Sequence, residues 1–146
     1  MPVRTAEARW QRSLQDGSGT MRLGSGAFEG SYSFKSRMEE GPGTNPEELI
    51  GAAHAGCFSM AFAGALSKAG HTPQEIRTTA TVHFDKTDQG WSITRIDLAT
   101  EGNVPGVDEG TFKRLADEAK KTCPVSKALA ATPITLQATL KSGVAA

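Results

Sequence analysis

Residues 45–70, NPEELIGAAHAGCFSMAFAGALSKAG, carry the clearest helix signal in the chain. Asn45 is a suitable N-cap, and Pro46 fits the first helical position because its missing N–H would have no helical partner there. Glu47 and Glu48 place carboxylates at the positive end of the helix, and Glu48 follows the cap at capping-box spacing. We therefore predict that a long helix begins at Pro46.

The same stretch indicates where this helix ends and how it packs. Ala69 is its expected last residue, because Gly70 is a typical C-terminal stop. Residues 49–67 carry no charge and are long enough to span a membrane, but nine of them are Ala or Gly, so the segment is weakly hydrophobic. We predict a core helix buried on all sides instead of a membrane span. Small residues at one-turn spacing, among them Gly51 and Gly56, predict close contact with a second helix.

Apolar and polar residues alternate near the N-terminus, which is typical of strands. The alternation covers residues 6–10 and residues 31–35, and the Gly-Ser-Gly sequences at 17–19 and 24–26 are typical of turns. These segments predict a meander of antiparallel strands before the long helix.

A second set of strands follows the long helix. Residues 80–84 alternate, residues 88–90 (DQG) predict a turn, and residues 91–98 alternate again with a slip of one position. The slip predicts a β-bulge near Thr94 and Arg95 in an antiparallel hairpin.

The C-terminal third predicts two helices and a last strand. Apolar residues recur at helical spacing over residues 108–121, and Cys123 ends or kinks this helix because a residue before proline disfavours helical geometry. Pro124 then begins a short helix that reaches Ala130, and residues 134–140 alternate as a strand. The order of these elements predicts an α+β fold.

The composition excludes several classes of function. The 146 residues contain no linker-like segment, so we predict a single domain, residues 1–146. Sixteen basic residues balance sixteen acidic ones, so no net charge attracts nucleic acid or an anionic membrane. Charges at Arg4, Glu7 and Arg9 interrupt the stretch in which a signal peptide needs apolar residues. We therefore expect a cytoplasmic protein.

Two cysteines, Cys57 and Cys123, are the residues best suited to chemistry. Their spacing matches no zinc ribbon or CxxC motif, and in a reducing cytosol such a pair is more often catalytic or inert than structural. Cys57 lies about three turns into the predicted helix, beyond the reach of its dipole, so a reactive thiolate there needs a nearby cation. His54, Arg37 and Lys127 are the candidates, and the residues alone do not choose among them. An imidazole hydrogen-bonded in the core is the competing interpretation of His54, and an inert buried thiol that of Cys57.

Two motifs resemble those of a known family. Residues 43–60 (GTNPEELIGAAHAGCFSM) resemble the first cysteine motif of the OsmC/Ohr family of peroxidases, and residues 122–126 (TCPVS) resemble the second. Residues 34–37 (FKSR), residues 104–107 (VPGV) and the final strand also fit, so the resemblance covers nearly the whole chain. The GAAH sequence before the cysteine and the long connection into the helix are closer to the OsmC branch than to Ohr.

The resemblance implies a role for four side chains. Cys57 would be the peroxidatic cysteine, Cys123 the resolving cysteine, and Arg37 the cation that activates Cys57. Glu47 would be the carboxylate that positions Arg37, with Glu48 as the weaker alternative because of its capping role. A guanidinium suits such a task because it stays protonated and donates hydrogen bonds to a peroxide oxygen.

The resemblance also implies a reaction and a fold. Thiolate attack on an organic hydroperoxide, and on hydrogen peroxide as well, would give a sulfenic acid on Cys57, and Cys123 would then close a disulfide with it. A dithiol would reset the enzyme, with lipoyl-type dithiols among the candidate reductants, and no metal or organic cofactor is needed. The implied fold is α+β, with antiparallel β-sheets around a long central helix in an interwoven homodimer. A redox-sensing or ligand-binding module that uses the same cysteines without turnover is the alternative, and a structural protein with an incidental disulfide is a third.

Overall fold

The structure is a computed structural model that describes residues 1–141. The chain divides into two compact units, one comprising Met1–Leu49 and one that begins at Ile50. A single domain spanning the whole chain stays a prediction. The elements, in chain order, are β1 (Ala6–Gln11), β2 (Ser18–Leu23), β3 (Glu29–Tyr32), α1 (Phe34–Met38), α2 (Pro46–Lys68), β4 (Glu75–Thr87), β5 (Gly90–Asn103), α3 (Glu109–Thr122), α4 (Pro124–Ala128) and β6 (Ile134–Leu140).

The first unit contains the meander that the sequence predicts. β1 pairs antiparallel with β2, and β2 pairs antiparallel with β3. Trp10 and Tyr32 lie on the outer strands with their ring centroids 5.3 Å apart. Gly19 lies on the middle strand, where a Cβ would come within 2.8 Å of both rings. Glycine at this position therefore lets the two aromatic side chains approach each other across the sheet.

A short helix begins at Phe34, where the alternating pattern predicted a continuing strand. The Ser33 hydroxyl accepts a hydrogen bond from the Ser36 N–H at 3.1 Å, and the Ser36 hydroxyl accepts one from the Ser33 N–H at 2.9 Å. This capping box satisfies two backbone donors of the first turn, which outweighs the alternation of only two apolar residues. Arg37 therefore lies on a helix, α1.

The long helix α2 begins at Pro46 as the sequence predicts, and it ends at Lys68, one residue before the expected Ala69. Asn45 Oδ1 accepts a hydrogen bond from the Glu48 N–H at 2.8 Å, as an N-cap should. The Glu48 carboxylate accepts a further bond from the Thr44 hydroxyl at 2.6 Å. At the other end Gly70 has a φ of +92°, the left-handed conformation that stops a helix.

The sheet of the second unit has the order β4-β5-β6. β4 and β5 form the predicted antiparallel hairpin, and the register changes from His83 opposite Arg95 to Phe84 opposite Ile93. Thr94 is thus the extra residue of the predicted bulge. β6 pairs with β5 in parallel. The prediction of antiparallel sheets is therefore wrong for this one pair of strands. The reason is the connection: α3 and α4 form a crossover between the two strands, and parallel strands require one.

The core of the second unit joins α2, the sheet and α3. Phe58 and Phe62 on α2 and Phe112 on α3 are fully buried. The rings of Phe62 and Phe112 meet edge to face, with centroids 4.9 Å apart, the arrangement that their quadrupoles favour. Ile96 and Leu98 of β5 complete the buried cluster from the sheet side.

Within a single chain only one face of α2 is buried, so burial of the helix on all sides stays a prediction that depends on a partner. His54, Phe58, Phe62 and Leu66 form a fully buried stripe. The opposite face, which we call the outer face of α2, is exposed and carries small or apolar residues: Ala52, Ala53, Gly56, Met60 and Gly64. The sequence conceals this asymmetry because residues 49–67 carry no charge, so no polar stripe marks the exposed face of the helix.

The small residues of α2 do not all have the predicted partner. A Cβ on Gly51 would lie 3.4 Å from Val82 Cγ2, so this glycine admits a strand of the sheet and not a second helix. A Cβ on Gly56 would meet open space within the chain.

By length and composition α2 is also apolar enough to cross a membrane, with a mean hydropathy of 1.5, and the core helix of a soluble protein meets the same test.

Candidate active site

The two cysteines of the chain meet in the second unit. Cys57, in the middle of α2, is half-buried, whereas Cys123, between α3 and α4, is fully buried. Both are free thiols, and their side chains share a hydrogen bond. The pair therefore has the proximity that lets an oxidised sulfur on one residue condense with the other.

The break between α3 and α4 fixes the backbone of Cys123. Pro124 disfavours helical geometry in the preceding residue, and Cys123 adopts φ −57° and ψ +121°. Its N–H donates to Ala119 O at 2.8 Å and completes α3, while its carbonyl accepts from the Lys127 N–H at 3.0 Å and begins α4. Both backbone polar groups of Cys123 are thus held by a helix, so the sulfur has a defined position.

The surroundings of the pair ionise Cys123 more readily than Cys57. Burial and the hydrogen bond with Cys123 raise the pKa of the Cys57 thiol. Burial also opposes ionisation of Cys123, but hydrogen bonds from the Ser126 N–H, the Cys57 thiol and the Ser126 hydroxyl, with a further one from Val125, outweigh it and lower the pKa of Cys123. Because the two thiols are in contact, the first of them to ionise is Cys123, and its thiolate accepts a hydrogen bond from Cys57. A thiolate on Cys57 therefore needs a cation besides these groups.

His54 is not that cation. Its ring is fully buried one turn before Cys57, and its Nε2 lies 2.7 Å from Ser126 Oγ. Burial lowers the pKa of His54, so the ring is neutral at pH 7. Of the two interpretations that the sequence allowed for His54, the structure therefore supports a hydrogen-bonded imidazole in the core.

Lys127 lies on the surface of the second unit. Its side chain is exposed beside Lys120 and Lys121 in a shallow recess next to α4. A strongly hydrated ammonium in this setting is a poor choice for stabilising a buried thiolate.

Arg37 and Glu47 form an ion pair in the first unit. Arg37 Nη2 lies 2.7 Å from Glu47 Oε1, and Arg37 Nε donates to both carboxylate oxygens at 3.0 and 3.3 Å. The Glu47 side chain is 9% exposed, and that of Arg37 is 37% exposed. A carboxylate so deeply buried requires a paired cation, and the fork of the guanidinium satisfies both oxygens. Of the two glutamates that the sequence offered, Glu47 is therefore the partner of Arg37.

Hydrogen bonds between α1 and the start of α2 position this pair. The Ser36 hydroxyl donates to Thr44 O at 2.8 Å, and Asn45 Nδ2 donates to Ser36 O at 3.2 Å. Arg37 follows Ser36 directly and Glu47 follows Asn45 by two residues. These two bonds thus fix the segments that carry both charged side chains.

An apolar recess of about 220 Å³ opens beside Arg37 in the first unit. Most of its wall is aromatic or aliphatic, and Arg37 and Ser33 add polar groups. The lining residues are Trp10, Leu14, Tyr32, Ser33, Phe34, Arg37 and Met38. A recess of this kind can hold an apolar group next to a fixed positive charge.

Ser126 is the functional candidate that the sequence did not single out. Its only signal was its place in the TCPVS motif, three residues after Cys123.

Within residues 1–141, no group of three or more His, Cys, Asp and Glu side chains is arranged to hold a metal ion.

Known proteins resemble this chain over most of its length. A family model described as OsmC-like protein matches residues 39–138. The chain is 50% identical over 137 residues to Peroxiredoxin OsmC of Escherichia coli (strain K12), an alignment that covers 93% of this chain and 95% of that protein. It is 35% identical over 90 residues to the Organic hydroperoxide resistance protein of Xanthomonas axonopodis pv. citri (strain 306), with 60% of this chain and 61% of the other covered.

Solved structures with a similar fold include an OsmC-like protein. An OsmC-like protein of unknown function from Vibrio cholerae O1 biovar eltor superposes with a TM-score of 0.76 at 17% identity, over 94% of this chain and 99% of the other. This likeness confirms the expected α+β fold. The family match spans the cysteine motifs at residues 43–60 and 122–126, and the chain belongs to the OsmC family.

Proposed function

We propose that this protein is a thiol-dependent peroxidase that reduces organic hydroperoxides. The observation that carries the proposal is the contact between its two cysteines, one half-exposed and the other sealed in the core. Its relatives are named Peroxiredoxin OsmC and Organic hydroperoxide resistance protein, which supports a role in peroxide detoxification.

The proposed cycle begins at Cys57, the more accessible sulfur. Its thiolate attacks the terminal oxygen of R–O–OH, the O–O bond breaks, and the alkoxide leaves and is protonated to the alcohol. Cys57 is then a sulfenic acid. Cys123 attacks this sulfur, the S–O bond breaks, and water and the Cys57–Cys123 disulfide are the products.

Arg37 is the cation in this proposal, and Glu47 holds it in place. The bidentate ion pair supports this assignment because it fixes the guanidinium plane while leaving part of the side chain exposed. A guanidinium stabilises a thiolate and also donates to the oxygen on which charge develops. The apolar recess beside Arg37 favours an organic hydroperoxide, since hydrogen peroxide has no apolar group to place there.

An external dithiol completes the cycle by exchange with the disulfide. One thiolate of the dithiol attacks the Cys57–Cys123 disulfide and forms a mixed disulfide with one cysteine, while the other cysteine leaves as a thiolate. The second thiolate of the dithiol then attacks this mixed disulfide, so the reductant leaves as its own disulfide and both cysteines are reduced. We propose lipoyl-type dithiols among the reductants. We also propose that the enzyme is a homodimer, because the outer face of α2 is apolar and exposed in one chain. A cytoplasmic location is a further proposal, since both cysteines are free thiols, as a reducing compartment would keep them.

Peroxide consumption with a dithiol tests the function. Cumene hydroperoxide or tert-butyl hydroperoxide should be consumed catalytically in the presence of dithiothreitol or dihydrolipoamide, and faster than hydrogen peroxide. Cys57→Ser should abolish turnover, whereas Cys123→Ser should reduce about one equivalent and then stall or overoxidise. Equal residual activity in both variants would remove the assignment of roles.

A redox-sensing module without turnover is the second candidate. The lowered pKa of the buried Cys123 favours it, because a stable thiolate beside a second cysteine can form a disulfide as a signal. In that case peroxide would be consumed only once per protein, and added dithiol would not sustain the reaction.

A further inference from the structure

A series of buried polar groups leads from His54 to Cys123. His54 Nε2 lies 2.7 Å from Ser126 Oγ, and both residues are buried, with exposures of 0% and 6%. The Ser126 hydroxyl in turn bonds the Cys123 sulfur. The proposed cycle gives neither His54 nor Ser126 a task, although burying a polar side chain is costly without one.

The ring of His54 has one hydrogen-bonded nitrogen and one without a partner. Among the described residues no group bonds Nδ1. Since the ring is neutral, it carries a single N–H. A proton on Nε2 is used in the bond to Ser126 and leaves a bare lone pair at Nδ1, whereas a proton on Nδ1 would be a buried donor without an acceptor. The environment therefore favours the tautomer with the proton on Nε2.

This tautomer decides which way the Ser126 hydroxyl points. An oxygen that accepts a hydrogen bond from His54 keeps its own proton for another acceptor. The Cys123 sulfur is the acceptor in contact with that hydroxyl. A thiolate accepts such a bond much better than a thiol, because hydrogen bonds to charged groups are the stronger ones.

We propose that His54 is a positioning residue for Cys123: its Nε2–H orients the Ser126 hydroxyl, which then donates to the Cys123 sulfur and holds it as the thiolate that closes the disulfide. The inference rests on the proposed function and deepens its second step. In that step the Cys123 thiolate attacks the sulfur of the Cys57 sulfenic acid, the S–S bond forms, the S–O bond breaks, and the departing hydroxide takes a proton from solvent.

A titration of Cys123 tests the inference without any peroxide. Thiolate absorbance is followed against pH in the full chain carrying Cys57→Ala, so that one cysteine remains. His54→Leu and Ser126→Ala should each raise the midpoint by about one pH unit, a tenfold loss of thiolate well below the midpoint. The double variant should shift no further than Ser126→Ala alone, because His54 acts through Ser126.

Matched variants separate this role from general packing. Ser59→Ala removes a part-buried hydroxyl of α2 that donates to Thr78 at 2.8 Å, and it should leave the midpoint unchanged. Ser126→Thr keeps a hydroxyl and should stay near the parent value, and His54→Gln should recover part of the shift through its amide N–H. An unchanged midpoint in Ser126→Ala, or fully additive shifts in the double variant, would overturn the proposal. If His54→Leu does not fold, Ser126→Ala carries the test, because it removes a single oxygen.

Single-turnover kinetics then place the effect in the cycle. With both cysteines present and one equivalent of cumene hydroperoxide, His54→Leu and Ser126→Ala should slow disulfide formation about tenfold at pH 7, and raising the pH should restore the rate. Formation of the disulfide at the parent rate in both variants would overturn the inference. A parent protein that consumes no peroxide would instead remove the proposed function, while the titration would still decide on His54.

Discussion

At the scale of single residues, the surroundings of Cys57 oppose the role proposed for it. Burial and the neighbouring Cys123 raise the pKa of its thiol. A peroxidatic cysteine needs the opposite shift, because the thiolate is the nucleophile. Arg37 is the proposed source of that shift, since it brings a guanidinium that the buried Glu47 holds in place.

Replacing Arg37 tests this dependence. In a Cys123→Ser background, Arg37→Ala should raise the pKa of Cys57 by about two units, because the thiolate loses its cation. Arg37→Lys should recover only part of the shift, since lysine keeps the charge but not the planar fork. The measurement is thiolate absorbance against pH. Arg22→Ala, which removes an exposed arginine paired with Glu7, is the matched control, and a titration unchanged by Arg37→Ala would exclude Arg37 as the activating cation.

The residues of the candidate site differ in how far the sequence reveals them. Cys57, Cys123 and Arg37 stand in recognisable motifs, so their candidacy needed no structure. His54 and Ser126 are separated by 72 positions, and no local pattern predicts a bond between them. The ionisation of the pair was equally hidden, because it depends on backbone N–H groups that converge on Cys123 only after α4 has formed.

At the scale of elements, the sequence predicted the features that depend on residues close together in the chain. The N-cap and glycine stop of α2, the hairpin of β4 and β5, and the bulge at Thr94 all follow from neighbouring residues. The parallel pairing of β6 did not follow, because strand alternation is the same for either direction. The exposure of the outer face of α2 in a single chain did not follow either, because the sequence does not say what lies opposite a small side chain.

A polar cluster connects the three strands of the second sheet. Asp97 on β5 is 2.7 Å from His83 Nε2 on β4 and accepts a hydrogen bond from the Thr135 hydroxyl of β6 at 2.6 Å. Arg95 adds a salt bridge at 3.0 Å. The hydrogen bonds from Thr135 and His83, with the Arg95 charge, lower the pKa of Asp97 to about 2. The carboxylate form of Asp97 is thus the one that the sheet binds.

Stability should depend on pH through this cluster. The folded-state pKa of Asp97 lies below its unfolded value near 4, so its contribution is present above pH 4 and is lost as the pH falls toward about 2. Asp97→Asn should therefore lower the free energy of unfolding at pH 7, with a difference from the parent that shrinks in acid. Urea unfolding at several pH values measures this. Asp117→Asn on α3 is the control, and a difference that is the same at pH 2.5 and pH 7 would contradict the prediction.

At the scale of the whole molecule, the outer face of α2 requires a partner in the proposed homodimer. Met60 is 79% exposed in the middle of a helix that otherwise presents Ala and Gly there. Small side chains let another backbone approach closely, and the approach buries the apolar helix surface. Two copies of this face would provide that contact, since the symmetry of a dimer is satisfied by one self-complementary patch.

A charge on the outer face should break the dimer. Met60→Glu would place a carboxylate in the proposed contact, where it would have to be desolvated, so the dissociation constant should rise by about tenfold or more. Sedimentation across a range of protein concentrations measures it. Ala130→Glu adds the same charge at an exposed position next to α4 and should leave the association unchanged. A parent chain that is monomeric at every concentration would contradict the proposed assembly.

If the proposed cycle holds, peroxide would stabilise the fold by joining Cys57 to Cys123. A bond between the two sulfurs would close a covalent ring that contains nearly half of the chain. In the unfolded state the two cysteines could then no longer move apart. According to the chain-entropy model, such a ring raises the free energy of unfolding by about 4 kcal/mol. Oxidised protein should therefore melt at a higher temperature than reduced protein, and a dithiol should reverse the difference. Cells that meet oxidants would then hold this protein in its most heat-resistant and protease-resistant form at the moment of greatest demand.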